Sequence, residues 1–234
     1  MRSPVTRADR EARSPGGWRE LEATTELHVW RARLDSGEGP SADLLPNRER
    51  DRAARLHPGA RKRWVAARWA LRGVLGRYLA EAPAAIELRV GACGKPRLAD
   101  PGSSLRFNLS HSRDLALVAV ARGREVGVDV EWIDPRRDVL ALARRALSPA
   151  EAARVEAAPP ESQPAAFHAA WARREAVAKC LGTGLRGPLP PSPAAVSALD
   201  VDLGFAAAIA VAGEEVPPPR RFVIEPDLVS PAAR

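Results

Sequence analysis

Residues 126–133 read Val126-Gly127-Val128-Asp129-Val130-Glu131-Trp132-Ile133. This alternation predicts a strand, and successive side chains of a strand face opposite ways. Asp129 and Glu131 therefore share one face, while Val128, Val130 and Trp132 share the other. Two carboxylates on one face repel unless water or a cation screens them. An amphipathic strand with a wet face meets that condition. So does a hard-cation site, because Mg2+ takes carboxylate oxygens and keeps waters that a phosphate can replace.

Downstream, Arg137–Leu147 and Pro149–Ala157 read as helices, the second opened by the cap pair Ser148-Pro149. After Pro159-Pro160, Gln163–Leu181 reads as a long helix ended by Gly182. Its centre is Trp171-Ala172-Arg173-Arg174-Glu175-Ala176-Val177-Ala178-Lys179. Glu175 and Lys179 stand in the favourable order for a helix salt bridge. With Trp171 as origin, Phe167 and Ala178 mark an apolar stripe, and Glu175 and Lys179 fall near roughly 40° and 80°, beside it. A charged pair at the buried edge suits a cleft wall, and a plain surface bridge is the alternative.

Upstream, strands are expected at Glu26–Leu34, Ile86–Val90 and Leu105–Leu109, with an apolar run at Leu115–Ala121. Helices are expected at Ala42–Leu56 and Arg61–Leu79, the latter stopped by Pro83. After the second helix come the turn Gly94-Lys95-Pro96 and the stretch Phe107-Asn108-Leu109-Ser110-His111-Ser112. His111 could bind phosphate from a strand end with Ser110 and Lys95, or the Ser-His-Ser turn could satisfy its own backbone. The run Leu115–Ala121 resembles Ala206–Ala212, each following a long helix and a turn-rich stretch. This suggests an α+β protein of two related halves, 23–125 and 126–225, with a ligand cleft at their junction. Loose tails are expected at 1–22 and 226–234.

The chain has 234 residues, 45% hydrophobic and 28% charged, which excludes wholesale disorder. No run of about 18 apolar residues spans a membrane. The Arg-rich N-terminus lacks the apolar core of a secretory signal, so a cytoplasmic protein is expected. Cys93 and Cys180 are too few for a disulfide framework or a zinc site. The net charge of +7 favours acidic or phosphorylated partners. Lysine occurs only at Lys62, Lys95 and Lys179, so 33 of the 36 basic residues are Arg. No P-loop, G-x-G-x-x-G or G-x-S-x-G pattern is present.

In this order, Gly94-Lys95-Pro96, Phe107–Ser112, Val126–Glu131 and Trp171–Lys179, with Gly182-Thr183-Gly184-Leu185, resemble the phosphopantetheinyl transferases of the larger, surfactin-synthetase-activating type. The stretch Arg63–Leu75 is similar to that family's basic helix. The resemblance covers about Glu26 to Val211. It implies two pseudo-symmetric α+β halves with coenzyme A in the cleft between them. It implies transfer of phosphopantetheine from CoA to a serine of an apo acyl or peptidyl carrier protein, releasing adenosine 3',5'-bisphosphate.

Residue by residue, Asp129, Glu131 and Glu175 match the family's three Mg2+ carboxylates, with Mn2+ as the other candidate ion. Lys179 matches the helix lysine near the pyrophosphate. Lys95, Ser110 and His111 match CoA-binding positions, and Arg63 matches a basic CoA contact. Glu151 matches a position proposed as general base, the alternative being a water on the cation. Ala172 and Arg174 depart from the family's pattern before the helix glutamate, where a small hydroxyl or thiol residue and a Lys are usual. A monomer with an acidic carrier as partner is expected, without nucleic acid or membrane. The rivals are a basic nucleic-acid binder without catalysis and a Mg2+-dependent phosphodiesterase. With aromatics at 5%, a base-stacking platform is poorly supplied.

Overall fold

The computed structural model describes residues 26–35, 40–91, 93–184 and 194–224. The tails expected at 1–22 and 226–234, and most of the Gly/Pro-rich stretch 182–193, lie outside those residues. The described chain is a mixed α/β fold built on two main sheets.

The first sheet contains β1 (Leu27–Arg33), β4 (Leu105–Ser112), β5 (Leu115–Arg122) and β9 (Arg220–Val223) in the order β4-β5-β1-β9. The second contains β6 (Val126–Trp132), β7 (Ala194–Leu199) and β8 (Phe205–Ala212) in the order β6-β8-β7. A short pair, β2 (Leu88–Val90) with β3 (Pro96–Leu98), sits apart. The helices are α1 (Asn47–Ala54), α2 (Pro58–Leu79), α3 (Val139–Ala146), α4 (Pro149–Glu156) and α5 (Gln163–Leu181). The apolar runs 115–121 and 206–212 become the strands β5 and β8, each flanked by antiparallel neighbours.

Several boundaries differ from the sequence expectation for local reasons. Pro46 breaks the stretch 42–56 into a 3-10 turn at 42–44 and α1. The next helix begins three residues early because the His57 side chain accepts from Gly59 N–H and Pro58 takes the first helical position. The strand expected at 86–90 shortens to 88–90. The half expected over 126–225 does not keep all its strands: β9 pairs in parallel with β1 and completes the first sheet. Phe222 there stacks on Trp30 at 4.5 Å between ring centroids.

The alternation in β6 decides how the layers stack. Val126, Val128 and Val130 pack into a core between the two sheets, with Leu27, Leu117 and Ile209 among their neighbours. The far face of the first sheet packs on α2 through Trp30, Leu71, Leu75, Phe107 and Val118. The far face of the second sheet packs on α5, where Ala172, Ala176 and Cys180 meet Ala208 and Ala210. The order is thus helix, sheet, sheet, helix.

The two sheets are also tied along one edge, where side chains of β4 stand in for a backbone ladder. Asn108 Oδ1 accepts from Val128 N–H at 2.9 Å, Ser110 Oγ from Val130 N–H at 3.4 Å, and Ser112 Oγ from Trp132 N–H at 3.0 Å. Every second residue of the Phe107–Ser112 stretch therefore satisfies a donor of the strand that carries Asp129 and Glu131.

Candidate active site

Helix α5 lies unusually close to β6, and Gly127 is the reason. A Cβ at that position would stand 2.1 Å from Ala176 O and 2.4 Å from Cys180 N, so only glycine lets the helix backbone settle there. With small residues on the facing strip of α5, the helix edge carrying Glu175 and Lys179 comes down on Asp129.

Lys179 Nζ donates to Asp129 Oδ1 at 2.5 Å and to Ser110 Oγ at 3.1 Å, and it pairs with Glu175 Oε2 at 3.1 Å. Ser110 Oγ in turn donates to Asp129 Oδ1 at 2.8 Å. The structure thus brings together β4, β6 and α5, which are remote in sequence. Asp129 is only 1% exposed, so the wet-face account of this strand does not hold for it. Ser110, matched above to a CoA contact, has its hydroxyl engaged by Asp129, Lys179 and the Val130 amide.

The charges do not balance. Burial, and then the like charges of Asp129 and Glu175, push Glu131 up to about 7 although the Trp171 indole donates to it. Burial and the neighbouring Asp129 carboxylate also raise Glu175, against the pull of Lys179. Lys179 is held above its ordinary value by Asp129 and Glu175 in spite of burial. Three carboxyls face a single ammonium, and Asp129 Oδ2 is buried with no hydrogen-bond partner. An orphaned carboxylate oxygen beside two acids with raised pKa values is a donor set that fits a divalent cation. Among the described residues no three His, Cys, Asp or Glu side chains stand in closed ligating geometry. The fit therefore rests on charge and on the unpaired oxygen.

His111 connects this cluster to a cavity of about 770 Å3 between α1, α2 and the β2–β3 pair. The cavity wall carries Arg48, Arg52, Arg68, Arg72 and Trp64 as well as His111. Glu49 anchors two of these guanidiniums: Arg72 Nε donates to Glu49 Oε2 at 2.7 Å, and Arg68 Nε to Oε1 at 2.9 Å. Burial opposes ionisation of Glu49, but Arg72 and Arg68 hold it below the usual carboxylate range. Partial desolvation, and then the charges of Lys179 and Arg63, push His111 down and favour its neutral form. Arg63, on α2, thus shares a field with His111 and Lys179. Volume and charge suit a nucleotide-sized polyanion.

Two matched residues have other occupations. Lys95 is 8% exposed, and its ammonium donates to Glu125 Oε2 at 2.8 Å, Val126 O at 2.9 Å and Cys180 O at 3.3 Å. It clamps the start of β6 to the end of α5, and its three donors are spent there. Glu151 closes a capping box: its Oε2 accepts from Ser148 N–H at 3.0 Å and from Ser148 Oγ at 2.6 Å. Burial would raise its pKa, but these bonds hold it below the usual range, which suits a cap better than a base. Arg174 lines the same groove as Glu151.

Sequence reasoning missed the Glu49 network, the amide-satisfying role of Asn108 and Ser112, and the contact of Trp171 with Glu131. Only the arginine density at 48–55 signalled the first of these.

Comparison with known proteins gives one family match: residues 125–210 fit the 4'-phosphopantetheinyl transferase superfamily. That span holds β6, α3 to α5, and most of β8. The chain is 37% identical over 166 residues to the 4'-phosphopantetheinyl transferase HetI of Nostoc sp., covering 68% of this chain and 70% of that protein. It is 40% identical over 122 residues to the 4'-phosphopantetheinyl transferase AcpT of Salmonella typhimurium, covering 52% and 59%. A 4'-phosphopantetheinyl transferase of Bacillus subtilis is 34% identical over 108 residues, 46% of each chain.

Proposed function

Because the chain belongs to the 4'-phosphopantetheinyl transferase superfamily, as an enzyme of that class, we propose that it carries the phosphopantetheine arm of coenzyme A to a serine of an apo acyl or peptidyl carrier protein. The observation that carries this reading is the convergence of Asp129, Glu131, Glu175 and Lys179 beside an arginine-lined cavity. CoA is placed with its nucleotide in the cavity against Arg48, Arg52 and Trp64, and its pyrophosphate past His111 and Arg63 toward Lys179.

The carrier serine Oγ attacks the phosphorus that bears the pantetheine. A new O–P bond forms as the bond to the bridging oxygen breaks, and adenosine 3',5'-bisphosphate leaves with that oxygen. The serine proton passes to a water at the carboxylate cluster as the O–P bond forms, since Glu151 is engaged in its capping box. Lys179 offsets the charge that builds on the departing phosphate. A Mg2+ or Mn2+ held by Asp129, Glu131 and Glu175 would neutralise charge on the pyrophosphate oxygens. Lys95, Ser110 and Gly127 position this apparatus and do not touch CoA.

The larger, two-half type is part of the proposal. Its support is the matching arrangement of an antiparallel triplet and a long helix on either side of residue 125, with β5 and β8 at the centres. So is a cytoplasmic monomer acting there on fatty-acid, polyketide or peptide carriers. The test is incubation with CoA, Mg2+ and an apo carrier protein, followed by intact mass spectrometry. A gain of one phosphopantetheine arm is expected. An unmodified carrier beside intact CoA refutes transfer, and hydrolysed CoA beside an unmodified carrier turns the site into a phosphodiesterase.

A further inference from the structure

Five arginines, Arg48, Arg52, Arg68, Arg72 and Arg89, line the cavity between α1, α2 and the β2–β3 pair. Glu49 fixes two of them: Arg72 Nε donates to its Oε2 at 2.7 Å, and Arg68 Nε to its Oε1 at 2.9 Å. The other three, Arg48, Arg52 and Arg89, are exposed and make no ion pair among the described residues. A carboxylate in the wall of a polyanion site repels the ligand by itself. Glu49 is compatible with such a site because two guanidiniums cancel its charge.

Its place in the fold gives that division a use. Helix α1 has Ala53 as its one buried residue, so packing alone holds it weakly on α2. Arg61 ties the far end, donating from Nε to Ala53 O at 2.9 Å and from Nη2 to Ala54 O at 2.8 Å. Glu49, in the first turn, ties the near end. Its side chain is 12% exposed, and that of Arg72 is 2% exposed. Arg72 also reaches the third wall, donating from Nη1 to Pro83 O at 2.7 Å and to Ile86 O at 3.0 Å, in the segment that leads into β2. One carboxylate thus stands where α1, α2 and the chain entering β2 meet. Removing one partner of such a junction leaves the other charges uncompensated in a buried place.

We infer that Glu49 is a positioning residue for the nucleotide end of CoA: it sets the gap between Arg48 and Arg52 on α1 and Arg89 on β2, so that three unpaired guanidiniums meet the anion together. The inference rests on the transferase reading above. It goes beyond that reading by naming Arg89 as a contact and Glu49 as the group that aims the walls. Arg48 and Arg52, four apart, lie on one side of α1. Glu49 itself is engaged by Arg68 and Arg72 and does not touch CoA.

The test is CoA binding by calorimetry, with steady-state transfer from CoA to an apo carrier, for wild type, Glu49→Gln, Arg89→Gln and the double variant. Glu49→Gln is expected to weaken CoA binding and raise KM for CoA about tenfold, with kcat at saturating CoA and KM for the carrier within about twofold. Arg89→Gln is expected to weaken CoA about fivefold at an unchanged thermal midpoint, because its side chain is exposed and unpaired. The double variant is expected to bind CoA within about twofold of Glu49→Gln, because a displaced wall leaves Arg89 little to contribute. Glu49→Asp keeps the charge and falls between wild type and Glu49→Gln. A lower thermal midpoint in Glu49→Gln with unchanged CoA affinity overturns the inference and leaves a purely structural ion pair. Fully multiplicative effects in the double variant overturn it too, and if Glu49→Gln does not fold, Glu49→Asp with wild-type CoA affinity does so. A wild type that binds CoA and modifies no carrier refutes the transferase reading instead, and the comparison of CoA affinities still decides the role of Glu49.

Discussion

Replacing Lys95 by methionine separates a clamp from a ligand. The ammonium is buried and holds Glu125, Val126 O and Cys180 O together. Methionine fills most of the space but donates nothing. Glu125 keeps Arg97 Nη1 at 2.5 Å and Arg106 Nε at 3.1 Å, so its charge is not stranded. The two carbonyls lose a buried donor, at about 1–3 kcal/mol each, so the cost is about 3 kcal/mol. For a chain of this size that lowers Tm by roughly 6–12 °C. Because the clamp joins the first residue of β6 to the last turn of α5, its loss lets Glu175 and Lys179 drift from Asp129. A displacement near 1 Å is worth on the order of a hundredfold in kcat. The assays are thermal unfolding and steady-state transfer with CoA varied. The expected result is lower Tm and kcat with KM for CoA within about threefold, as for a group that does not touch CoA. Unchanged Tm and kcat with KM for CoA up tenfold or more would show that Lys95 reaches the nucleotide, and the clamp would be wrong.

Three further outcomes are expected. Gly127→Ala drives a methyl into Ala176 O and Cys180 N, backbone atoms that cannot swing aside; it should cost about 3 kcal/mol in urea unfolding and abolish transfer, and a folded, active variant would contradict the close approach. Asp129→Asn should lose transfer while keeping the fold, since an amide still accepts from Ser110 and Lys179, and calorimetry should show Mg2+ binding weakened at least tenfold relative to wild type. His28, fully buried with Nδ1 2.7 Å from the Tyr78 hydroxyl, has its pKa lowered to about 4 by burial and then by Arg220. The unfolded chain therefore takes the proton first as pH falls below 6.5, and stability drops by about 2.5 kcal/mol between pH 7.5 and 4.5. His28→Gln should flatten that urea-midpoint profile, and an equally steep one would clear His28 of the effect.

Much of this molecule was legible in its linear order, for reasons of periodicity. The period of two in 126–133 put Asp129 and Glu131 on one face and the valines in the core between the sheets. The Pro159-Pro160 break and the Gly182 stop bounded α5 at Gln163 and Leu181, and the wheel set Glu175 and Lys179 beside its apolar stripe. Strand β9 was not legible, because pairing with β1 depends on a neighbour nearly two hundred residues away. The same holds for the Glu49–Arg68–Arg72 network, whose members are spread over α1 and α2.

Side-chain type, order and spacing by themselves showed which family the chain resembles, and that resemblance implied which acids and which lysine belong together. Only the tertiary structure decided what each group does. Lys95 and Glu151 carry the right chemistry for a ligand and a base, yet folding spends both on backbone and capping bonds. Ser110 and Asn108, modest polar residues in a strand, become the donors' partners that seat β6. The physical reason is that a hydrogen-bonding side chain is defined by whichever partner burial brings within 3 Å, and burial is a property of the packed chain.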